Sequence, residues 1–435
     1  MAAEGINDYK ELRIYVDSQY NPSRLLILRA ENRDNSEVLM VNWRTFALAA
    51  YAIGLIVAGV YGYVVTTSAH VQNSSSLCSH PPTSTNLLPD CLPSLTLSET
   101  GSALMYPMFQ SWVNNFTQLY PTVQMNTANT GSGTGQSFVE KGLVQIGGSA
   151  AYLSDDQQSR NPNILNIPLA VTSDLIEYNL FEPDGKTVFP SNIHLNFTAP
   201  LLSMIYNSTV IWWNDTRIKS INPGAANLIP SQRIWPVQRT DASGDTWMFT
   251  QYLAANDPWW SSNVGYGLQV TWPYCDPKVC QVQSALGNPG IVIETGDIKY
   301  SISYVSVEAL DKWVIGTYGL GTGLVQNRDG NFLFPTLDNV KASIDALSPQ
   351  TPADERFSLV NAPGPNSYPI VGYGYALVNR QQITPDFATV LRAFLAYCLL
   401  PNYGNSPRFL DAYHFAPLPE SIRQLSLNQV AVIGP

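Results

Sequence analysis

Two loops rich in glycine and hydroxyl residues are the parts of this sequence best suited to chemistry. Residues 130–135 read TGSGTG and residues 239–246 read RTDASGDT, and a helical pattern follows each loop. The start of a helix offers free N–H groups and the positive end of the helix dipole, and glycine lets the backbone approach a ligand closely. Both loops are therefore candidate binding sites for a small oxyanion.

The alternative role for these loops is structural, because Ser132 and Ser243 could simply cap the helices that follow. Neither loop is a phosphate-binding loop of the nucleotide type, since no Lys-Ser/Thr pair follows the glycines. The four histidines are scattered, and no Ser/His/Asp or Cys/His arrangement supports an enzyme. We predict a non-enzymatic protein without a cofactor.

The five cysteines fall into two close pairs and one remainder. Cys78 and Cys91 form the first pair, Cys275 and Cys280 the second, and Cys398 lies in an apolar helical pattern. In an oxidising compartment this spacing favours two local disulfides and a buried thiol. Metal binding by the pairs is the alternative, which the scarcity of histidine and the lack of a Cys-x-x-Cys motif disfavour.

The elements that position the two loops alternate between short strands and helices. We expect strands near 94–100, 123–127 and 144–147, with helices at 106–119 and 135–142. This alternation predicts an α/β layered architecture. The net charge of −10 provides no basic surface for a phosphate backbone, so we expect no nucleic-acid partner.

A transmembrane helix is predicted within residues 45–66. Residues 46–65 are twenty consecutive residues without a charge, enough to cross a hydrocarbon core of about 30 Å. A buried core helix and a cleaved signal peptide are the alternatives. Six lysines and arginines precede the span, and none follows it until Lys141, which places the N-terminus in the cytoplasm. We therefore expect a single-pass protein of the cell membrane, with the lipid bilayer as a partner.

The segments flanking the span have different compositions. Residues 1–44 contain three β-leaning runs, which form either a small cytoplasmic anchor or a surface that docks on a membrane-embedded protein. Residues 67–94 are rich in Ser, Thr, Pro and Asn and read as an extracytoplasmic stalk. The outer part carries five glycosylation sequons, and the scarcity of charge suggests an archaeal cell surface. The sequons begin at Asn73, Asn115, Asn196, Asn207 and Asn214.

From about residue 95 onward, the chain resembles the phosphate-binding proteins of Pst-type ABC uptake systems. The resemblance rests on blocks in the family's order, among them TGSALMYPMFQSW, NTGSGTGQSF, QRTDASGDTWMFTQYL and SYPIVGYGYALVNR. It implies a two-lobed periplasmic-binding-protein-like fold of type II, here preceded by one transmembrane helix. Lobe 1 would comprise residues 95–178 and 366–435, and lobe 2 residues 179–365, with the ligand between them.

The resemblance also implies a set of ligand-binding residues. The expected contributors are the Leu104 N–H group, the Ser132 hydroxyl and N–H groups, the Arg239 guanidinium, and donors from Ser243, Gly244 and Asp245. Asp241 would hold Arg239 in place by a salt bridge. These groups bind an anion by hydrogen bonds rather than by net charge, so an acidic protein remains compatible with the function.

Two departures from the family pattern bear on function. Ala103 stands where the family usually has threonine, and Ala150 stands where it has the aspartate that accepts the proton of phosphate. The loss of these groups predicts weaker phosphate binding and less discrimination against sulfate. Two hypotheses follow: a receptor for inorganic phosphate or a similar oxyanion that serves a transporter permease, or a non-binding accessory subunit of another membrane complex.

Overall fold

The structure is a computed structural model that describes residues 11–15, 25–32, 35–42, 87–273 and 283–435. The chain divides into two compact units, residues 1–73 and 74–435, and each is described by itself. The predicted span at 46–65, most of the stalk and Cys78, Cys275 and Cys280 lie outside the described residues. No helix in the described part of the chain combines the length and the apolar character needed to cross a membrane.

The first unit contains a three-stranded antiparallel sheet. Its strands are β1 (Glu11–Tyr15), β2 (Leu25–Asn32) and β3 (Asn35–Asn42), in the order β1-β2-β3. Asn32 pairs with Asn35, so the chain reverses direction directly between β2 and β3. The prediction of three strand-forming runs in this arm is confirmed.

The second unit alternates strands and helices, as predicted. Its strands are β4 (Leu95–Gly101), β5 (Val123–Asn129), β6 (Ile146–Ser149), β7 (Ile164–Tyr178), β8 (Asn196–Phe197), β9 (Trp235–Arg239), β10 (Gln283–Ala285), β11 (Ser301–Ser306), β12 (Gly321–Thr322), β13 (Leu324–Gln326), β14 (Phe332–Leu333) and β15 (Val371–Asn379). Its α-helices are α1 (Tyr106–Leu119), α2 (Ser132–Glu140), α3 (Asp155–Arg160), α4 (Ala199–Tyr206), α5 (Thr216–Ile221), α6 (Gly244–Asn256), α7 (Pro258–Asn263), α8 (Gly287–Asp297), α9 (Leu337–Leu347), α10 (Pro385–Leu399), α11 (Pro407–Leu410) and α12 (Glu420–Ala431).

One long strand, β7, joins the two halves of the main sheet. The strand order is β10-β9-β11-β7-β15-β6-β4-β5, with β12 added beside β7. Residues 164–173 of β7 pair with β15, and residues 174–178 pair with β11. Both pairings are antiparallel, and β6 is antiparallel to β15. Strands β4 to β6 are parallel to one another, as are strands β9 to β11, so the two sets run in opposite directions. The carboxyl ends of these two sets consequently point toward the middle of β7.

Apolar periodicity explains why the helices cover this sheet. In α1, Pro107 lies in the first turn, and Met108, Phe109, Trp112 and Phe116 recur on the buried face. The Phe116 ring packs against Phe394 of α10 at a centroid distance of 5.2 Å. The resulting two-lobed α/β fold has the periplasmic-binding-protein-like architecture expected from the resemblance. The finer lobe boundaries stay a prediction.

The described cysteines agree in part with the sequence expectations. Cys398 is a buried free thiol, as predicted. Cys91 is disulfide-bonded, and its partner lies outside the described residues. The specific pairings Cys78–Cys91 and Cys275–Cys280 stay predictions, as does glycosylation.

Candidate functional site

Both predicted loops follow strands whose carboxyl ends meet at the middle of the sheet. Residues 130–131 connect β5 to α2, and residues 240–243 connect β9 to α6. Ligands of open α/β sheets bind outside the carboxyl ends of strands, at the point where the strand order reverses direction. The strand topology therefore brings together two loops that lie more than one hundred residues apart.

The two helix starts differ in their capping. Ser243 caps α6, since its Oγ accepts hydrogen bonds from the N–H groups of Asp245 (3.1 Å) and Thr246 (3.4 Å). Helix α2 begins at Ser132, three residues before the predicted start, and its cap residue is Gly131 with a φ of 90°. The capping interpretation is therefore correct for Ser243 and wrong for Ser132. The Ser132 hydroxyl instead accepts the Ala150 N–H at 3.2 Å.

The two loops meet in direct backbone contact. The Gly133 N–H donates to the Ala242 carbonyl at 2.9 Å. A Cβ atom on Gly244 would lie 2.4 Å from the Ala150 Cβ atom and 2.9 Å from the Ser132 Oγ atom. Glycine is required at these positions because any side chain would hold the loops apart. The two helix starts are therefore in contact in this structure.

Arg239 lies at the centre of the site and is only 4% exposed. Its Nε atom donates to Asp241 Oδ1 at 2.8 Å, and a second bond joins the guanidinium to Asp241 Oδ2. Burial opposes the charge of Arg239, but the Asp245 and Asp241 carboxylates raise its pKa above the usual value. The salt bridge expected between Asp241 and Arg239 is present, and the arginine remains a cation.

The Nη1 atom of Arg239 is also occupied. It donates to Asp245 Oδ2 and to Asn288 Oδ1, both at 2.5 Å. The Ser243 hydroxyl donates to the same Asp245 oxygen at 2.9 Å. Asp245 was expected to lend donors to an anion. Here its carboxylate acts as an acceptor and holds the two donors that an anion would need.

Further acidic residues surround this centre. Asp174 is fully buried on β7, where its carboxyl group and that of Asp245 lie within hydrogen-bonding reach of each other. Burial, followed by the charge of Asp245, raises the pKa of Asp174 well above its usual value. Burial likewise raises the pKa of Glu308 to about 8, opposed by the hydrogen bond from Asn288. The centre thus contains one buried cation among several carboxyl groups.

Sequence reasoning missed Asn288, Glu308 and Asp174. Asn288 follows Gly287 at the start of α8, so the glycine-at-helix-start signal was available there too. Asp174 interrupts the otherwise mostly apolar run of β7, and a carboxylate in a buried strand indicates a special environment. Glu308 carries no comparable local signal.

The other expected positions line the same region. Leu104 is fully buried in the turn between β4 and α1, and Ala103 is 4% exposed. Ala103 borders a small cavity of about 60 Å³ that Asn288 and Glu308 also line. Ala150 is fully buried against Gly244. The positions substituted relative to the family pattern therefore lie beside residues of the centre.

Among the described residues, no cluster of His, Cys, Asp or Glu has the arrangement of a metal site. The acidic groups around Arg239 are separated by its guanidinium and by amide and hydroxyl groups. For a ligand, this geometry provides one cation, the Arg239 guanidinium. It also provides the hydroxyl groups of Ser132 and Ser243 and the starts of helices α2 and α6.

Comparison with known families decides the relationship of this chain. A family model described as the PBP superfamily domain matches residues 68–402. The chain belongs to the PBP superfamily. This match includes both loops and every residue of the candidate site.

Curated relatives within this superfamily share about a quarter of their residues with the chain. The phosphate-binding protein PstS of Methanocaldococcus jannaschii is 29% identical over 354 residues, which cover 78% of this chain and 86% of that protein. The phosphate-binding protein PstS of Xylella fastidiosa is 26% identical over 332 residues, which cover 76% of this chain and 83% of that protein. The resemblance found in the sequence blocks is confirmed.

Solved structures support the superfamily fold. The phosphate-binding protein from Stenotrophomonas maltophilia aligns with a TM-score of 0.57 at 18% identity, covering 77% of this chain and 94% of that one. A high-affinity periplasmic phosphate-binding protein, PfluDING, aligns with a TM-score of 0.58 at 16% identity, covering 76% of this chain and 92% of that one. At this level of identity the likeness establishes the fold alone.

Proposed function

We propose that this protein is a membrane-anchored, extracytoplasmic receptor that binds phosphate or a similar oxyanion for uptake or sensing. The observation that carries the proposal is the buried Arg239, charged and fixed by Asp241 at the point where two helix starts meet. The PstS relatives are named as phosphate-binding proteins. Hydrogen bonds from Arg239, Ser132, Ser243 and the N–H groups of Leu104 and Gly244 would hold the anion after the lobes move apart and close on it.

The proposal requires the anion to replace the Asp245 carboxylate on Arg239. Asp245 holds Nη1 of Arg239 and the Ser243 hydroxyl, so ligand binding means an exchange of one acceptor for another. Such an exchange lowers affinity relative to a site whose donors are free, because the existing bonds must first break. We therefore expect a modest affinity, in the micromolar range or weaker.

The membrane anchor forms part of the proposal. Residues 46–65 would span the bilayer, with residues 1–44 in the cytoplasm and the binding unit outside. A transporter permease or another membrane-embedded protein is the expected partner, and the three-stranded sheet of the arm is the candidate docking element. Full-length protein should stay in the membrane fraction after an alkaline wash, whereas a variant without residues 46–65 should be released.

Calorimetry on the full-length protein in detergent tests the binding function. Titration with phosphate and with sulfate should give saturable heats for at least one of them. The matched variant is Arg239→Gln, which removes the cation and should abolish the heats. Silent titrations for both anions in a folded sample would contradict a receptor for the free oxyanions.

A second candidate function is a non-binding accessory subunit of a membrane complex. The specific observation in its favour is that four of the five guanidinium N–H groups and the Ser243 hydroxyl already donate to Asp241, Asp245 and Asn288. A site that supplies its own acceptors can be retained for stability rather than capture. This function predicts no heats with either anion and an Arg239→Gln variant whose main defect is lower stability.

A further inference from the structure

A cavity of about 670 Å³ is lined by neighbours of the anion-site residues, among them Ala151, which follows Ala150. Gln136, which lines it, is one turn beyond Ser132 in α2, and Trp247 is one turn beyond Ser243 in α6. Residues three or four apart share a helix face, so these two lining residues are neighbours of the loop serines. Leu268, another lining residue, accepts the Ser243 N–H through its carbonyl at 2.8 Å.

The volume of this cavity exceeds what an inorganic oxyanion needs. A water molecule occupies about 30 Å³ of liquid, and a tetrahedral oxyanion is only a few times larger. Cavities of roughly 300–1,000 Å³ accommodate organic ligands. A second chemical group, attached to the anion, would have room here.

One wall of the cavity is aromatic. Trp247 contacts Tyr152 and Tyr266, with ring centroids 5.3 Å and 6.2 Å apart and near-perpendicular planes. The three rings form a continuous apolar surface that ends in two phenol hydroxyls. Such a surface suits a ring that carries C–H groups on its face and hydroxyls at its edge.

The opposing polar groups are amides. Gln136, Gln157 and Gln269 line the cavity, and the Gln157 Nε2 atom donates to Gln136 Oε1 at 3.0 Å. Gln136 and Gln157 are already engaged in hydrogen bonds within the protein. The exposed Gln269 donates one N–H group to the Thr240 carbonyl and keeps a donor and an acceptor, which match the hydroxyl groups of a polyol. The charged lining residues, Asp155 and Arg356, pair with each other at 2.7 Å. The wall is therefore suited to an uncharged polar group rather than to additional phosphates.

We infer that the ligand of this site is a phosphorylated sugar, with its phosphoryl group on the Arg239 centre and its sugar ring in the adjoining cavity. The inference rests on the proposed function and narrows its ligand class. The sugar contacts would add affinity at a centre where phosphate alone must displace Asp245. They would also select a sugar phosphate over the free anion.

Calorimetry with three probes tests this inference on the full-length protein in detergent. The probes are inorganic phosphate, glucose 6-phosphate and glucose. We expect glucose 6-phosphate to bind at least about tenfold tighter than phosphate, and glucose alone to bind far more weakly. Tyr266 is 53% exposed, so Tyr266→Ala should fold normally and weaken glucose 6-phosphate binding about fivefold without changing phosphate binding.

Tyr403→Ala is the matched control, because Tyr403 is 40% exposed and is not part of the cavity wall; it should change neither affinity. Phosphate binding without any preference for glucose 6-phosphate would overturn the inference and leave the receptor function standing, as would a Tyr266→Ala variant that weakens both ligands equally. Glucose 6-phosphate binding with silent phosphate titrations would support the inference. Silence with all three probes would overturn both proposals.

Discussion

Replacing Asp245 by threonine should raise the affinity for phosphate about tenfold to a hundredfold. The Asp245 carboxylate accepts hydrogen bonds from Arg239 Nη1 at 2.5 Å and from the Ser243 hydroxyl at 2.9 Å. Threonine removes this acceptor and its charge, so both donors become available to the anion. Asp241 continues to hold Arg239 through two hydrogen bonds, and the site should keep its shape.

The magnitude follows from two contributions. A hydrogen bond that involves a charged group contributes about 1.5–3 kcal/mol. A carboxylate about 5–6 Å from a bound anion would repel it by about 3 kcal/mol at an effective dielectric constant of 20. Part of this gain offsets the lost stabilisation of Arg239 in the free protein. A net gain of about 1.4–2.7 kcal/mol corresponds to a tenfold to roughly hundredfold lower Kd.

Titration calorimetry at pH 7 with phosphate and sulfate measures this change. The control is Asp338→Thr, since Asp338 is exposed and occupies the same second position of its helix, after the capping residue Thr336 of α9. This control should leave both affinities unchanged. If Asp245→Thr folds with an unaltered circular dichroism spectrum yet binds neither anion more tightly, Arg239 is not the anion-binding group.

Three further outcomes are expected. In the Asp245→Thr background, Ala150→Asp should favour phosphate over sulfate in competition titrations, since a carboxylate accepts a proton that only phosphate carries; equal affinities would contradict this. Gly133→Ala should weaken phosphate binding at least about fivefold, because its Cβ atom would lie 2.3 Å from the Ala242 Cβ atom in the opposite loop. The control Gly224→Ala should bind phosphate normally, since no atom lies within 4 Å of the added Cβ atom. Burial raises the pKa of Glu355 from 4.5 to about 8. Between these two pH values the unfolded chain releases the Glu355 proton and the folded protein keeps it, so the free energy of unfolding falls as the pH rises. Thermal melts should show a higher Tm at pH 5 than at pH 8, and Glu355→Gln should have a shallower pH dependence; a slope equal to that of the parent protein would contradict the assignment.

Much of the local structure could be predicted from the sequence because its causes are local. Helix α1 has the bounds Tyr106–Leu119 that its proline and apolar spacing predict. The start of α2 could not be predicted in the same way. Gly135 lies inside the helix, and a Cβ atom there would be 2.5 Å from the Gly148 carbonyl oxygen. Glycine at this position allows helix α2 to approach strand β6 closely, and it does not mark the end of a loop.

The candidate site likewise combines residues that could be predicted from the sequence with residues that could not. The motif blocks identified Arg239, Ser132 and Ser243 from their order along the chain, and the Asp241 salt bridge follows from its position two residues away. The partners Asn288, Glu308 and Asp174 were not predictable, since they come from other strands and helices and carry weak local signals.

The sequence by itself determined the superfamily, the alternation of strands and helices, and the two loops from which an anion site is built. Only the tertiary structure decided that these loops touch and that Asp245 accepts the free donor of Arg239. The same atoms of Asp245 and Arg239 could have turned toward a ligand or toward each other. That choice depends on burial and on neighbouring groups contributed by distant segments, because the energy of a buried charge is set by everything packed around it.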